Sequence, residues 1–135
     1  MKYLVLLGRI LYAAIFISAA PGHFTAGTIA YAAAKGVPLA SIAVPLSGII
    51  ALMGGLSILA GYKARYGAWL IVLFLVPVSI VMHNFWAVAE PMAARIQYIM
   101  FMKNLSMLGG ALLIAYFGSG PFSLEDRKKM SSQDR

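Results

Sequence analysis

The feature that most constrains the fold of this chain is an apolar run from Gly67 to Trp86, with no charged residue between Arg65 and Glu90. An α-helix of about 20 mostly apolar residues crosses the roughly 30 Å hydrocarbon core of a bilayer. The run therefore predicts a transmembrane helix. Its last residues, from Met82 onward, include a histidine, an asparagine and a tryptophan where the helix meets the lipid headgroups. Any chemistry is expected to start at that end.

The composition places the whole chain in the membrane class. Hydrophobic residues make up 61% and charged residues 11%, and the mean hydropathy is +0.84, which leaves too little polar surface for a soluble domain of 135 residues. The net charge of +7 then reports topology and contact with anionic lipid, so no nucleic-acid partner is predicted. Because the chain has no cysteine, disulfides, thiolate metal sites and a dithiol relay within it are excluded, and no metal site is predicted.

Four transmembrane helices are predicted, which together form an all-α, integral membrane four-helix bundle at residues 1–124. Their approximate bounds are 4–20, 46–62, 67–83 and 96–117. The first span has some features of a secretory signal, but Arg9 in the middle of its apolar region argues against cleavage. Residues 125–135 are predicted to be a charged cytoplasmic tail.

The connection between the first two spans carries a helix signal of its own. The stretch Ala26–Lys35 is alanine-rich, Gly36 stands where a C′ residue is expected, and Pro38 follows. This pattern predicts a short external interfacial helix. Pro45 is expected in the first turn of the second span, where its missing N–H does no harm.

Two spans carry small residues at helical spacing, which lets helix backbones approach closely in lipid. In the second span they are spaced by four. These residues are Ser47, Ala51 and Gly55. In the fourth span Lys103, Ser106 and Gly110 follow i, i+3, i+7, which predicts that Lys103 faces the bundle interior with the small residues.

The lysines and arginines are distributed unequally between the two predicted membrane faces. One face is flanked by Lys2, Lys63, Arg65, Arg127, Lys128, Lys129 and Arg135. The other face has only Lys35 and Arg95. The positive-inside rule therefore predicts a multi-pass protein with both termini in the cytoplasm and the connection around His23 outside.

Several polar residues are predicted to share one depth in the membrane. At 1.5 Å rise per residue, His23 lies about 28 Å, His83 about 24 Å and Lys103 about 21 Å from the cytoplasmic ends of their helices, with Asn104 nearby. Ionisable groups within a membrane usually point into a bundle or cavity, so this layer is the candidate site. Alternatively, the two histidines are interfacial anchors and Lys103 extends to the headgroups. Arg9, in the opposite leaflet, favours a topology or tail-pairing role over a ligand contact.

Five segments stand in a recognisable order and spacing. They are Leu7 to Leu11, Gly54 to Gly61, Met82 to Trp86, Lys103 to Leu113, and Gly118 to Leu124. Together they resemble the DoxX family of small four-helix membrane proteins. The resemblance implies a bacterial-type inner membrane and a redox role, since relatives resemble membrane subunits of thiosulfate:quinone oxidoreductases or partners in oxidative-stress complexes. Many of those relatives carry a glutamate where this chain has Ala51, so a role for that carboxylate does not transfer.

The leading hypothesis from this resemblance is a membrane subunit that holds a quinone, or a similar lipophilic ligand, near the outer leaflet. A soluble redox protein would supply the electrons. His83, Lys103 and Asn104 would hydrogen-bond a quinone oxygen, Trp86 would stack on the ring, and His23 belongs to the same candidate site. The chain has no self-contained catalytic motif, so at most it is one subunit of an oxidoreductase, and a homo-oligomer is left open.

Two alternatives belong to other functional classes. A non-catalytic scaffold would recruit redox or stress-response partners, with the polar layer only joining the helices. A haem protein would use His23 and His83 as axial ligands. A four-helix core can house haem, but two histidines at helix exits support that role only weakly.

Overall fold

The computed structural model describes residues 1–133, and within that range the chain is helical and has no β-strand. The predicted all-α fold is confirmed. The helices are α1 (Lys2–Ala19), α2 (Ala26–Ala34), α3 (Ala40–Ala60), α4 (Ala64–Met82), α5 (Pro91–Phe117) and α6 (Leu124–Gln133). Short 3₁₀ turns at Ala20–Phe24 and Phe85–Ala87 extend α1 and α4.

Four helical segments are long and apolar enough to cross a membrane. They are Lys2–Phe24, Ala40–Ala60, Ala64–Ala87 and Pro91–Phe117. Their outer faces carry large apolar side chains such as Ile80 and Leu113, which are exposed as a lipid-facing surface requires. The chain is therefore a multi-pass membrane protein. Both the N terminus and the segment after α5 lie at one end of the bundle, which we call the termini end, and the connections around His23 and His83 lie at the other, the loop end.

The second span begins earlier than predicted. The helix α3 starts at Ala40, so Pro45 lies inside it and not in the first turn. Because proline has no N–H, the usual hydrogen bond to the carbonyl four residues earlier, that of Ser41, cannot form. The helix nevertheless continues, since Ala40 and Val44 are buried against α2 in a small apolar cluster that holds this first part in place.

The predicted short helix between the first two spans is present as α2. Thr25 caps its start, because its side-chain oxygen accepts a hydrogen bond from the Thr28 backbone N–H at 3.3 Å. Gly36 follows the helix with a φ of +85°, the left-handed conformation that ends helices and that glycine adopts without strain. The helix packs on α3 and on the 3₁₀ turn after α1.

The helix α3 is the centre of the bundle because glycines on two of its faces admit other helices. A Cβ on Gly55 would lie 3.2 Å from the Cβ of Phe16 on α1, so the predicted packing of the small-residue face is confirmed. A second face, which the spacing of small residues did not indicate, meets α4. A Cβ on Gly54 would lie 2.8 Å from the backbone oxygen of Gly67. At this point the two helix backbones are in contact.

The inward face of α5 differs from the prediction. Its buried residues are Asn104 and Ala111, whereas Lys103 and Ser106 are exposed. Gly110 does face another helix, since a Cβ there would lie 2.7 Å from the Tyr12 ring. The i, i+3, i+7 pattern identified the correct helix but placed its inward face about one residue, or about 100°, away from where packing puts it.

Beyond α5 the chain folds back across the termini end. Arg9 is buried, with 4% of its surface exposed, and its Nη2 donates to the backbone oxygen of Phe122 at 2.6 Å. The Glu125 carboxylate accepts hydrogen bonds from the Lys63 backbone N–H at 2.8 Å and from the Ser119 hydroxyl at 2.6 Å. These contacts fit the tail-pairing role for Arg9.

The tail after residue 124, for which the sequence indicated no element, continues as the helix α6. Its Lys128 ammonium lies over the Tyr62 ring, 4.9 Å from the ring centroid. The helix therefore lies against the turn between α3 and α4. Residues 134 and 135 of the predicted tail are outside the described range.

Candidate functional site

A cavity of about 760 Å³ lies at the loop end, between the four spans and α2. Below it, Tyr12 joins α1 to α5, because its hydroxyl donates to the Met107 backbone oxygen at 2.6 Å. The Tyr12 ring lies 5.4 Å from that of Phe16, which lines the cavity together with Met107. The helices pack closely below this level and leave a space above it.

Four of the five predicted site residues line this one cavity. They are His23, His83, Lys103 and Asn104. The remaining walls are mostly apolar side chains from α1, α3 and α4, with Phe74 among them. The structure thus brings together on one surface polar residues that come from three different parts of the sequence.

The imidazole of His23 is fixed by α3 and α4. Its Nδ1 lies 3.0 Å from the Ser47 hydroxyl, and its ring lies 5.5 Å from that of Phe74. Gly48 makes this approach possible, because a Cβ there would lie 2.5 Å from the Cβ of His23. The sequence did not indicate that Ser47 would bind a histidine, since its small-residue spacing pointed only to helix packing.

The imidazole of His83 is held by a residue that the sequence analysis missed. Its Nδ1 lies 2.8 Å from the side-chain oxygen of Gln97 on α5. The signal that could have found Gln97 is that an uncharged polar residue in the first turns of an apolar span needs a partner in the membrane. The contact joins the end of α4 to the start of α5 at the edge of the cavity.

Asn104 is the most deeply buried polar side chain of the cavity wall. The residue is 4% exposed, yet its side-chain amide makes no hydrogen bond to any other residue of the described range 1–133. Lys103 beside it is exposed, and its Nζ contacts the Met100 sulfur at 3.4 Å. The cavity therefore has an unpaired amide inside and an ammonium group at its margin.

Trp86 does not line the cavity, so the prediction that it stacks on a bound ligand is not matched by its position. It is 59% exposed and belongs to an aromatic cluster, with its ring 5.2 Å from Phe85 and 5.8 Å from Phe101. Phe85 and Trp86 belong to the 3₁₀ turn that follows α4, and Phe101 lies on α5. Phe74 lines the cavity, whereas Phe85 and Phe101 do not.

Among residues 1–133, no group of three or more His, Asp or Glu side chains is arranged to hold a metal ion. Both cavity histidines use Nδ1 for a hydrogen bond within the protein. Each therefore has only Nε2 available for a ligand. The donor set suits an uncharged polar group in an otherwise apolar space.

Comparison with known proteins gives a consistent family assignment. The sequence model of the SURF4 family matches residues 1–131. Inner membrane protein YqjF of Escherichia coli is 37% identical over 123 residues, which are 90% of this chain and 88% of that protein. Inner membrane protein YphA of Escherichia coli is 29% identical over 101 residues, 75% of this chain and 71% of that protein.

A eukaryotic relative is longer. ER-derived vesicles protein ERV29 of Saccharomyces cerevisiae is 28% identical over 82 residues, which are 61% of this chain but only 26% of that protein. The matched region thus spans about a quarter of its length. No solved structure matches the sequence.

These matches correct the sequence-based family resemblance. The resemblance to the DoxX family is wrong, because the SURF4 model covers nearly the whole chain. The physical reason is that the same packing and lipid-facing demands select glycine-rich apolar segments in four-span bundles of different families. The redox role rested on the DoxX resemblance, and neither the fold nor the relatives support it.

Proposed function

The chain belongs to the SURF4 family, and from that premise we propose that it is a membrane-embedded binding protein. Its ligand would be a lipophilic molecule with a polar head group, held in the loop-end cavity. The observation that carries this proposal is the unpaired Asn104 amide on the cavity wall. The amide has no partner in the described chain and is open to the cavity, so a polar group held there could form the hydrogen bonds that polar side chains inside proteins nearly always make.

The size and walls of the cavity support the same conclusion. Its volume of about 760 Å³ falls within the range of roughly 300–1,000 Å³ that is typical of small-molecule sites. Such sites are mostly apolar with a few polar groups that orient the ligand, as His23, His83 and Asn104 would here. A quinone also combines a lipophilic body with a polar head group, but we propose only that such a molecule binds and not that it transfers electrons.

A photoreactive lipid analogue in lipid nanodiscs would test the proposal. The probe is a hexadecanol with a mid-chain diazirine and a terminal alkyne, and cross-linked peptides are identified by mass spectrometry. Saturable labelling of cavity-wall peptides is expected. Ala43→Trp should reduce labelling at least severalfold, because Ala43 is a half-buried wall residue of α3 and the indole would fill the space.

Ile49→Trp is the matched control, since Ile49 lies on the same helix but is 44% exposed and does not line the cavity. It should leave labelling unchanged. Labelling that is not saturable, or that falls equally in both variants, would contradict a specific cavity site. The scaffold hypothesis, in which the polar residues only join helices, would then be favoured.

The orientation in the membrane is a second part of the proposal. Lys63, Arg65, Arg127 and Lys128 belong to the termini end, whereas Lys35 and Arg95 follow α2 and begin α5 at the loop end. This asymmetry favours a cytoplasmic termini end and an external cavity. Reporter fusions after Lys63 and Arg135 should behave as cytoplasmic and one after Lys35 as external. An external signal at Arg135 would overturn this orientation.

A further inference from the structure

Building on the proposed function, we propose that the head group of the ligand is a hydroxyl that donates a hydrogen bond to Nε2 of one of the cavity histidines. A ligand that has only acceptor oxygens, such as a carbonyl or an ether, would fit less well. Each histidine has one ring nitrogen that is hydrogen-bonded within the protein and one that is left for a ligand. The hydrogen bonds around each ring determine whether the nitrogen left for the ligand is a donor or an acceptor.

The proton of His23 is placed by a chain of two hydrogen bonds. The Ser47 hydroxyl lies 2.7 Å from the backbone oxygen of Val44, which can only accept, and we assign its one hydrogen to this shorter contact. Toward His23 Nδ1, 3.0 Å away, the same hydroxyl oxygen can therefore only accept. His23 Nδ1 must carry the proton, and in the neutral imidazole Nε2 is left as an acceptor.

The same tautomer follows for His83 from a different partner. Its Nδ1 faces the side-chain oxygen of Gln97 at 2.8 Å, and an amide oxygen can only accept. Nδ1 therefore donates, and Nε2 of the neutral ring is again an acceptor. No residue of the described part of the chain donates a hydrogen bond to either Nε2.

The remaining polar groups of the cavity also determine which head group can bind. The Asn104 amide offers both a donor and an acceptor, and the Lys103 ammonium at the margin offers donors only. The wall therefore combines two imidazole acceptors with amide and ammonium donors. A hydroxyl donates one hydrogen bond and accepts others, so it can match an imidazole and the amide together.

The two histidine Nε2 acceptors favour ligands with a hydroxyl group over ligands whose oxygens can only accept. A quinone or an ester oxygen could accept from Asn104 but would leave both Nε2 atoms facing an acceptor or apolar atoms. A site built to bind a hydroxyl rejects the analogue that lacks the proton, because its own polar groups are then left unpaired. The apolar walls also require a lipophilic body, which distinguishes a membrane alcohol or monoacylglycerol from a free polyol.

The test compares two diazirine probes, the hexadecanol described above and its methyl ether, in which a methyl group replaces the hydroxyl hydrogen. The protein is in phosphatidylcholine nanodiscs, whose lipids have no hydroxyl donors. The alcohol should compete for the cavity with about tenfold higher affinity than the ether, the effect of one well-placed hydrogen bond. Free glycerol at millimolar concentration should not compete, whereas a monoacylglycerol should.

The variant His83→Phe should reduce the preference for the alcohol, because it removes an acceptor that only the alcohol can use. Asn104→Leu should weaken binding of alcohol and ether alike, because the amide can donate to the oxygen of either probe. Gln97→Leu should also weaken the preference, since it frees the His83 ring to adopt the other tautomer. Equal binding of alcohol and ether to the parent protein would overturn this inference and leave the proposed function standing. Binding of neither probe would overturn the proposed function itself.

Nitrogen NMR of the protein labelled at its two histidines, in bilayers without probe, gives an independent readout. In their neutral form, both imidazoles should show a protonated Nδ1 and an unprotonated Nε2. Ser47→Ala should change the spectrum of His23 alone, which assigns the two rings. A protonated Nε2 on both rings would overturn the inference, because the cavity would then present donors in place of acceptors.

Discussion

The polar groups at the two ends of the bundle differ in their surroundings, which are folded-back chain at the termini end and a cavity at the loop end. At the termini end, Ser119 donates to Glu125, and the Ser123 hydroxyl accepts from the backbone N–H of Asp126 at 3.0 Å. Arg9 bridges α1 to the carbonyl of Phe122. Its Nη2 is bonded there, while its Nε and Nη1 are buried without a partner. At the loop end, Asn104 is also 4% exposed, but its whole side-chain amide lacks a partner in the described chain and is open to a cavity.

This difference teaches that one end of a helix bundle can contribute to stability while the other end keeps polar groups available for binding. The termini end is closed by chain that folds back after α5, which supplies backbone and carboxylate partners. At the loop end the short helix α2 packs on α3 and the 3₁₀ turn beside it, and a cavity remains between the spans above Tyr12. Polar groups there remain available to a ligand.

The largest loss of stability is expected when α3 is forced away from α4. Gly54→Leu places a side chain where a Cβ would already lie 2.8 Å from the Gly67 oxygen, which as backbone cannot move aside. We expect a loss of about 3 kcal/mol, the upper part of the range for overpacking. Gly55→Leu should lose about 1–3 kcal/mol, because its neighbours are side chains. Reversible unfolding in mixed detergent micelles measures both.

Gly109 provides the control for these glycines, since a Cβ there would have nothing within 4 Å. Gly109→Leu should be neutral or stabilise α5 by about 0.5–1 kcal/mol, because glycine is a poor helix former. Equal losses at Gly54 and Gly109 would mean that the close contact between α3 and α4 does not limit stability.

The next largest effect is expected at the termini end. Arg9→Ala removes the charged hydrogen bond to Phe122 and should lose about 2 kcal/mol. Arg9→Met should lose less, because it fills the space and removes Nε and Nη1, which are buried without partners. Limited proteolysis after residue 118 should increase in Arg9→Ala and remain unchanged in Arg95→Ala, which alters an exposed arginine of α5.

A smaller effect of opposite sign is expected at the loop end. Asn104→Leu should stabilise the protein by about 1 kcal/mol in the absence of ligand, because it replaces an unpaired buried amide by an apolar side chain of similar size. Thermal unfolding of the parent and the variant without added lipid analogue measures the difference. A clear loss of stability would show that the amide has a structural partner and would remove the contrast between the two ends.

The smallest effect concerns the cap of α5 at the loop end. The Glu90 carboxylate accepts from the backbone N–H groups of Met92 at 2.9 Å and Ala93 at 2.6 Å, and these bonds lower the pKa of Glu90 below its ordinary value of 4.5. A lowered pKa means that folding favours the ionised form. The stabilisation is complete above pH 4.5 and is lost as the pH falls through the lowered pKa.

Hydrogen exchange can detect this cap. Glu90→Ala should speed exchange of the Met92 and Ala93 amides at neutral pH, and the difference from the parent should vanish in acid. Amides in the first turn of α2, which Thr25 caps, are the internal control and should not change. A difference that persists in acid would mean that Glu90 acts through something other than its charge.

Much of the fold could be predicted from the sequence because the signals are local. The lengths of the apolar runs determined that the chain crosses the membrane four times, and alanine followed by Gly36 and Pro38 determined α2. Depth along each helix also follows from residue number, since the rise per residue is constant. This is why His23, His83, Lys103 and Asn104 could be grouped before any contact was known.

The family could not be predicted in the same way. Glycines and apolar residues at helical spacing report how helices pack in lipid, and that requirement is common to many bundles. The DoxX resemblance was built on such segments and was wrong, while the match over residues 1–131 uses the whole chain. The redox role had to be given up with the resemblance, since no residue pattern supported it alone.

What only the tertiary structure decided is how each helix is rotated and which distant residues it meets. Rotation by about 100° moves the inward position of α5 from Lys103 to Asn104, and Trp86, in the 3₁₀ turn after α4, does not line the cavity. The partners of His23 and His83 are 24 and 14 residues away, and that of Arg9 is 113 residues away. Hydropathy is the same for every rotation of an apolar helix, so these contacts are determined by packing against the other helices and not by the helix's own sequence.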